Sequence, residues 1–356
     1  MSESLRLLDE TLSRLFADAY TGSAASVENA AFDASLWAEV QQLGLAALLV
    51  PESEGGGDGL FVDARVVARA SGRYAVRIPL VESILGVRWL ASSGLDRPDG
   101  PLTVAHRAHG HVSGKPGNAT FSGSVAGVPW GSQAAAVVCV VGEEASTMLV
   151  ALERGTASDA ISHNNMAGEP RQTLHFRNAR IRSASIAPES RERLFDELAL
   201  MRAGQIAGAL SAALDRSIRH ASERIQFGRP IAKFQAVQHE LARLGSELAA
   251  VDCATQAACL AADRGPARFE IACARLRANL ASELGVRIAH QIHGAIGFTE
   301  ELDLHLFTQR LLAWRSELGN DAYWADRLGA EVASQGADAF WTALTGRADR
   351  VALGGE

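Results

Sequence analysis

Apolar residues recur at helical spacing in stretch after stretch of the carboxyl-terminal half, and this leaves few folds open. Leu194, Leu198, Met201, Ile206, Leu210, Leu214 and Ile218 draw an apolar stripe along one long helix. It stops at Phe227-Gly228-Arg229-Pro230, where Gly228 suits a left-handed cap and Pro230 cannot continue a helix. A second stripe, through Phe234, Val237, Leu241, Leu244, Leu248 and Val251, ends near Gly265-Pro266. A third, through Phe269, Cys273, Leu276, Leu280, Leu284 and Ile288, stops between Gly294 and Gly297. A fourth covers residues 303–315 and a fifth residues 322–344. Long helices with short connections predict an antiparallel bundle.

The rest of the chain reads differently. Leu5, Leu8, Leu12 and Leu15 share one helical face; Leu36, Trp37, Val40 and Leu43 suggest a second helix ending near Gly44. A glycine-rich loop at residues 54–59 precedes helical patterns over 62–70 and 80–92. From about Leu102 to Ile186 the texture is short β-branched or apolar runs separated by glycine, proline and serine, which predicts a small domain of antiparallel strands. The run at residues 134–141 shows no polar alternation, so both its faces are expected to be buried. The expected fold is α+β and mostly α. An N-terminal helical domain (1–98) is followed by a barrel-like β domain (99–188) and a helix bundle (189–356).

Charge and cysteine content exclude several partners. A net charge of −7 offers no basic field to nucleic acid, yet local arginines and helix N-termini still suit an anionic cofactor. The four cysteines form no CxxC pair and read as reduced, buried thiols. The N-terminal stretch lacks the apolar core of a signal peptide, and no run of about 18 apolar residues marks a membrane span. A cytoplasmic location is expected. His106, His109 and His111 have no carboxylate or cysteine close by, so no metal site is expected.

Layout alone names no reaction, but three motifs add to it. The joint Arg224-Ile225-Gln226-Phe227-Gly228-Arg229-Pro230-Ile231-Ala232-Lys233-Phe234-Gln235 resembles the R-x-x-F-G-x-x-I…Q joint of acyl-CoA dehydrogenases. Gln291-Ile292-His293-Gly294-Ala295-Ile296-Gly297-Phe298 is similar to that family's Q-x-x-G-G-x-G-[FY] turn, with Ala295 in place of its second glycine. Leu43-Gly44-Leu45, Val50-Pro51-Glu52 and the glycines after them fit its first domain. The resemblance implies FAD bound across a subunit interface, with Arg224, Phe227, Gln235, Gln291, Gly294 and Gly297 as its neighbours. It also implies an acyl-CoA substrate and a homodimer or homotetramer, and it leaves room for a paralogous partner subunit and an electron-accepting flavoprotein. The residue types suit these roles: a guanidinium fork for a pyrophosphate, glycines for close backbone approach, and an amide that donates and accepts.

In the family a carboxylate removes the substrate α-proton while flavin takes the β-hydride. A dry pocket that raises the carboxylate pKa makes a better base. Counted from Gly297, the usual base position falls on Leu318, with Glu317 one residue early. Counted from Phe227, the alternative position falls on Leu198, with Glu197 one residue early. One residue on a helix turns a side chain by about 100°. Glu317, between Trp314 and a glycine turn, is the candidate base; Glu197, among Glu192, Arg193 and Asp196, reads as part of a solvated helix face. The family loop that holds the flavin ring is reduced here to Leu102-Thr103-Val104-Ala105-His106-Arg107, and a second such segment to Val128-Pro129-Trp130-Gly131-Ser132. Three functions fit: an active FAD-dependent acyl-CoA dehydrogenase, a non-catalytic subunit supporting a catalytic paralogue, or a flavin oxidase or monooxygenase on the same scaffold.

Overall fold

The computed structural model describes residues 3–20, 31–114 and 118–352. The first two residues of the N-terminal stretch, and the last four of the 189–356 unit, lie outside the described residues.

Four helices come first: α1 (Glu3–Tyr20), α2 (Ala34–Gln42), α3 (Phe61–Arg73) and α4 (Leu80–Ser92). The α1 stripe meets the core through Leu12 and Phe16, both fully buried. Helix α2 begins at Asp33, whose carboxylate accepts the Leu36 N–H at 2.9 Å. The first N–H groups of α3 are satisfied from far along the chain: Asp263 accepts from the Phe61 N–H at 2.6 Å.

Seven strands follow: β1 (Leu102–Val104), β2 (Arg107–Ser113), β3 (Thr120–Pro129), β4 (Ala136–Val141), β5 (Met148–Glu153), β6 (Asp159–Asn164) and β7 (Pro170–Ser185). They form one sheet in the order β1-β4-β5-β7-β3-β2, with β6 also on β7. Every residue of β4 is buried, as its unbroken apolar run predicts. The expectation of antiparallel strands needs one correction, because β1 pairs with β4 in parallel. Between β1 and β2 only Ala105 and His106 intervene, too short a bend to form a cofactor-holding loop.

The bundle contains α5 (Ser190–Glu223), α6 (Gln235–Ala262), α7 (Arg268–His293), α8 (Leu304–Ser316), α9 (Asp321–Gln335) and α10 (Ala337–Ala352). The fifth stripe is therefore two helices, broken at Gly336, where φ is +79°. The first stripe also differs from the reading above. Residues 196–213 of α5 are buried on every side, because α5 is the central helix and packs against α3, α6, α7 and α8. Ile218 lies past this run and is exposed.

Helices α3 and α5 cross almost backbone to backbone. A Cβ on Gly208 would stand 1.9 Å from the Arg69 carbonyl oxygen, and one on Gly72 would stand 1.9 Å from that of Gln205. Neither oxygen can move without unwinding a helix. Gly208→Ala is expected to destabilise the protein by about 3 kcal/mol or more, read as a lower urea midpoint. A change under about 0.5 kcal/mol would mean that the crossing is looser than this geometry.

The joint after α5 is also not as the sequence suggests. Helix α5 ends at Glu223, and a tiny hairpin follows: β8 (Ile225–Gln226) against β9 (Arg229–Pro230). Phe227 (φ +52°) and Gly228 (φ +76°) form its two-residue turn, so Gly228 serves a hairpin and not a helix cap.

Candidate active site

Between the sheet and the bundle lies a cavity of about 210 Å³. Leu198 of α5 and Leu318 of the α8–α9 turn, the two positions reached by register, both line it. Val104 and Pro129 complete an apolar floor, and the polar lining includes Glu82, Arg171, Arg202 and Glu317.

The polar groups belong to one buried ion cluster. Arg171 of β7 grips Glu317 with both arms of its fork: Nε donates to Oε1 at 3.0 Å and Nη2 to Oε2 at 3.1 Å. Arg202 of α5 reaches Glu82 at 3.1 Å and Glu317 at 3.3 Å. Behind them, Glu169 takes the Nη2 of Arg171 at 3.1 Å, the Nε of Arg310 at 3.1 Å and the indole N–H of Trp314 at 2.8 Å. Asn165 donates to both Glu169 and Glu317 at 3.0 Å. Burial alone would raise the Glu169 carboxyl, but Arg310, Arg171 and Arg202 outweigh it and hold the group down at about 2. The cluster ties α4, α5, α8 and the β6–β7 hairpin together. Bringing one partner into such a network without the others is strongly unfavourable.

Glu317 therefore differs from the base described above. Burial pushes its carboxyl up, yet Arg171 and Arg202 more than reverse this and hold it below the ordinary carboxylate value. A base needs the opposite shift. Its backbone turn is fixed as firmly. The buried Arg275 donates to the carbonyls of Trp314 and Glu317, while the Trp324 indole donates to those of Leu318 at 3.0 Å and Gly319 at 3.2 Å. These bonds hold Leu318 at φ +56°, a conformation most non-glycine residues avoid. Glu197 also needs correction: it is buried, not solvated, and is paired with Arg88, Arg193 and the Trp89 indole, which donates at 2.7 Å.

The joint and the glycine turn lie at another place. Phe227 and Gln291 line one groove of about 550 Å³, together with Phe234 and Arg287. Arg224 caps the end of α5 and Gln235 opens α6, on either side of the hairpin. Gly294 ends α7 at φ +63°, and the Gly297 backbone folds back so tightly that a Cβ there would meet His293 at 2.8 Å. Gly294 and Gly297 are not among the residues lining the groove. His293 is buried and stacks on His220 at 4.6 Å. Of the thiols, Cys139 and Cys259 are buried as expected, but Cys253 is exposed. Among the described residues, no group of three His, Cys, Asp or Glu side chains is disposed for a metal ion.

Residues 2–96 match the N-terminal domain of acyl-CoA dehydrogenases, and residues 190–332 match their C-terminal domain. The chain belongs to the acyl-CoA dehydrogenase family. Acyl-CoA dehydrogenase IpdE2 of Mycolicibacterium smegmatis is 29% identical over 342 residues, which are 93% of this chain and 100% of that one. Among solved structures, the steroid acyl-CoA dehydrogenase Tcur3481–Tcur3483 superposes with a TM-score of 0.84 at 22% identity, covering 94% of this chain and 99% of that one. The ChsE4–ChsE5 complex of Mycobacterium tuberculosis gives 0.82 at 21%, covering 94% and 98%. The fold is that of the family, and the family assignment makes the chain an acyl-CoA dehydrogenase-type oxidoreductase with FAD as its cofactor. No helix among the described residues is long and apolar enough to cross a membrane.

The residues fit FAD at one of the two places and not at the other. At the joint, Phe227 is 92% exposed, holds a positive φ and shares its groove with Gln291 and Arg287. An exposed aromatic ring in one groove with Arg287 and Gln291 fits a nucleotide, which offers flat rings and phosphates together. The cavity is lined by the Arg171–Glu317 and Arg202–Glu82 ion pairs, and its volume of about 210 Å³ is too small for a whole dinucleotide cofactor. The sequence reading missed this cluster, although one signal was available: Arg202, Arg275 and Arg310 each interrupt an otherwise apolar helix stripe.

Proposed function

We propose that this chain is the flavin-supporting subunit of a mixed acyl-CoA dehydrogenase, whose proton-abstracting carboxylate stands on a paralogous partner chain. The reaction is α,β-dehydrogenation of an acyl-CoA thioester. One observation carries the reading: the cavity presents Leu198 and Leu318 at the two positions where the family resemblance expects a base, and Glu317 beside them is held by Arg171 and Arg202. When bound, FAD supplies the acceptor for the β-hydride. This chain's part is to hold the nucleotide end of a cofactor shared with the partner. Arg224 supplies the guanidinium for the pyrophosphate, Phe227 covers a ring face, and Gln235 and Gln291 fix polar groups. Gly294 and Gly297 let the turn approach closely. Two of the structural neighbours, Tcur3481–Tcur3483 and ChsE4–ChsE5, are two-chain assemblies, which supports a two-chain arrangement here.

A second reading keeps the chemistry in this chain, with Glu317 as base. What favours it is that the Glu317 side chain is 23% exposed and lines the cavity. Co-expression with and without the paralogue decides between the two. On the first reading the chain alone is colourless and the complex is yellow, and Arg224→Ala in this chain lowers the FAD affinity of the complex by about a hundredfold. Bound flavin in the chain alone, bleached by a steroid or fatty acyl-CoA and not in Glu317→Gln, would establish the second.

A further inference from the structure

The two motifs assigned to FAD stand at the carboxyl ends of two helices packed on each other, α5 and α7, and a ring stack joins those ends. His220, in the last turn of α5, lies flat on His293, the last residue of α7. The ring centroids are 4.6 Å apart and the planes 24° from parallel. Each imidazole is tied to one motif. The His220 carbonyl accepts the Arg224 N–H at 2.9 Å, which sets where the chain leaves α5 for the hairpin. His293 follows Gln291 by two residues and leads directly into Gly294. A Cβ on Gly297 would stand 2.8 Å from the Cβ of His293 and 3.4 Å from the Nδ1 of His290, so the glycine turn is folded against both side chains. The His290 ring in turn stacks on Phe298 at 4.4 Å.

These surroundings favour neutral rings. His293 is 6% exposed, and its Nδ1 stands 2.8 Å from the Ala289 carbonyl oxygen; a carbonyl only accepts, so that nitrogen carries the proton. The Nε2 of His290 meets the Thr308 hydroxyl at 3.1 Å, and its Nδ1 is buried without a hydrogen-bond partner. The charged groups around the stack come from three helices. Helix α5 brings Arg216 to His293, and Glu223 and Arg224 to His220; α7 brings His290; the start of α8 brings Asp303, with His305 beside it. The Asp303 carboxylate is already gripped by both arms of Arg216, whose Nε donates at 2.7 Å. Glu223 is exposed, where solvent screens it. Burial first, then His293 and Arg224, hold the His220 imidazole below its ordinary value. Burial holds His293 down too, against the pull of the Ala289 carbonyl, and Arg216 adds to it. Burial and then His293 do the same for His290.

From this stack and its ties to both motifs, we propose that His220 and His293 are the positioning residues of the cofactor joint: two neutral rings in contact fix the spacing between Arg224 and the glycine turn, and a proton on the pair separates them and releases FAD. This rests on the reading that both helix ends meet FAD. The imidazoles act through Arg224 and the turn. The sign of the pH effect follows. A separated pair takes up protons near the ordinary histidine value of about 6.5, and the closed pair only at lower pH. FAD affinity is therefore complete above about pH 7 and falls as pH drops through about 6.5.

Equilibrium titration of FAD into the flavin-bearing form, two-chain complex or chain alone, tests the inference at about pH 7.5 and about pH 5.5. The parent's dissociation constant is expected to rise by about tenfold or more, the effect of one proton that only the separated pair accepts. His220→Ala removes the ring and should bind FAD about threefold or more weaker at the higher pH. His220→Phe restores a flat ring without a titratable group. It should recover that loss, and its rise on acidification should be at least about threefold smaller than the parent's. Equal parent affinity at the two pH values, an equally steep rise in His220→Phe, or His220→Phe binding no better than His220→Ala would each overturn the proposal. Should the variants not fold, the imidazole C2-proton resonances of the parent give the answer: two coupled rings titrating below about 6.5 support it, and titration at that ordinary value overturns it. Arg224→Ala in the same titration reports separately on whether this joint holds FAD, so the failure of that reading is distinguishable.

Discussion

Replacing Glu169 by alanine is expected to lower stability by about 3–5 kcal/mol, enough to unfold a large fraction of the protein at ordinary temperature. Glu169 is 4% exposed and is the shared acceptor for Arg171, Arg310 and the Trp314 indole. Its removal leaves two buried guanidiniums short of an anion and adds an unpaired indole N–H. The pH dependence of the parent protein carries the same signature. A carboxyl whose folded value is about 2 instead of 4.5 contributes stability that is complete above pH 4.5 and is lost as pH falls through about 2. Urea unfolding from pH 6 down to pH 3 should therefore show the parent losing stability where Glu169→Ala is flatter. A loss below about 1 kcal/mol at neutral pH would mean that the arginines find other anions and that Glu169 is not their anchor.

The second large effect is at Trp324. Its ring is fully buried, stacks on Phe195 at 5.8 Å and meets Tyr323 edge-on at 5.0 Å. Its N–H holds the carbonyls of Leu318 and Gly319. Trp324→Ala is expected to cost about 3–5 kcal/mol, because the cavity it leaves cannot close. Trp324→Phe keeps most of the packing and loses only the donor, so about 1–2 kcal/mol is expected. The difference separates packing from turn anchoring. Equal losses in the two variants would mean that the hydrogen bonds, and not the ring, hold this corner.

The helices were legible because their apolar spacing and their stops are local properties. Stripe and stop together located α6, α7 and α8 to within a few residues, and the apolar run of β4 announced its two buried faces. What failed was whatever depends on distant chain. Gly336 breaks the last stripe by conformation, with no change in apolar spacing to mark it. Phe227-Gly228 looks like a helix stop, and only its pairing shows a hairpin. Glu197 looks solvated beside its charged neighbours, and only the arrival of α4 with Arg88 and Trp89 buries it. The ion cluster joins positions 82, 169, 171, 202, 310 and 317, and no periodicity connects them. The register count did reach Leu198 and Leu318, two residues 120 positions apart that line one cavity. It could not show what had come to occupy that cavity.

On the two-chain reading, this chain holds FAD only together with a partner. The most direct measurement is flavin content, read from visible absorbance, of the chain purified alone and of the chain purified with its paralogue. The prediction is a colourless chain alone and a yellow complex whose FAD is lost with Arg224→Ala in this chain. A yellow chain alone, with about one FAD per chain and bleached by an acyl-CoA thioester, would contradict it.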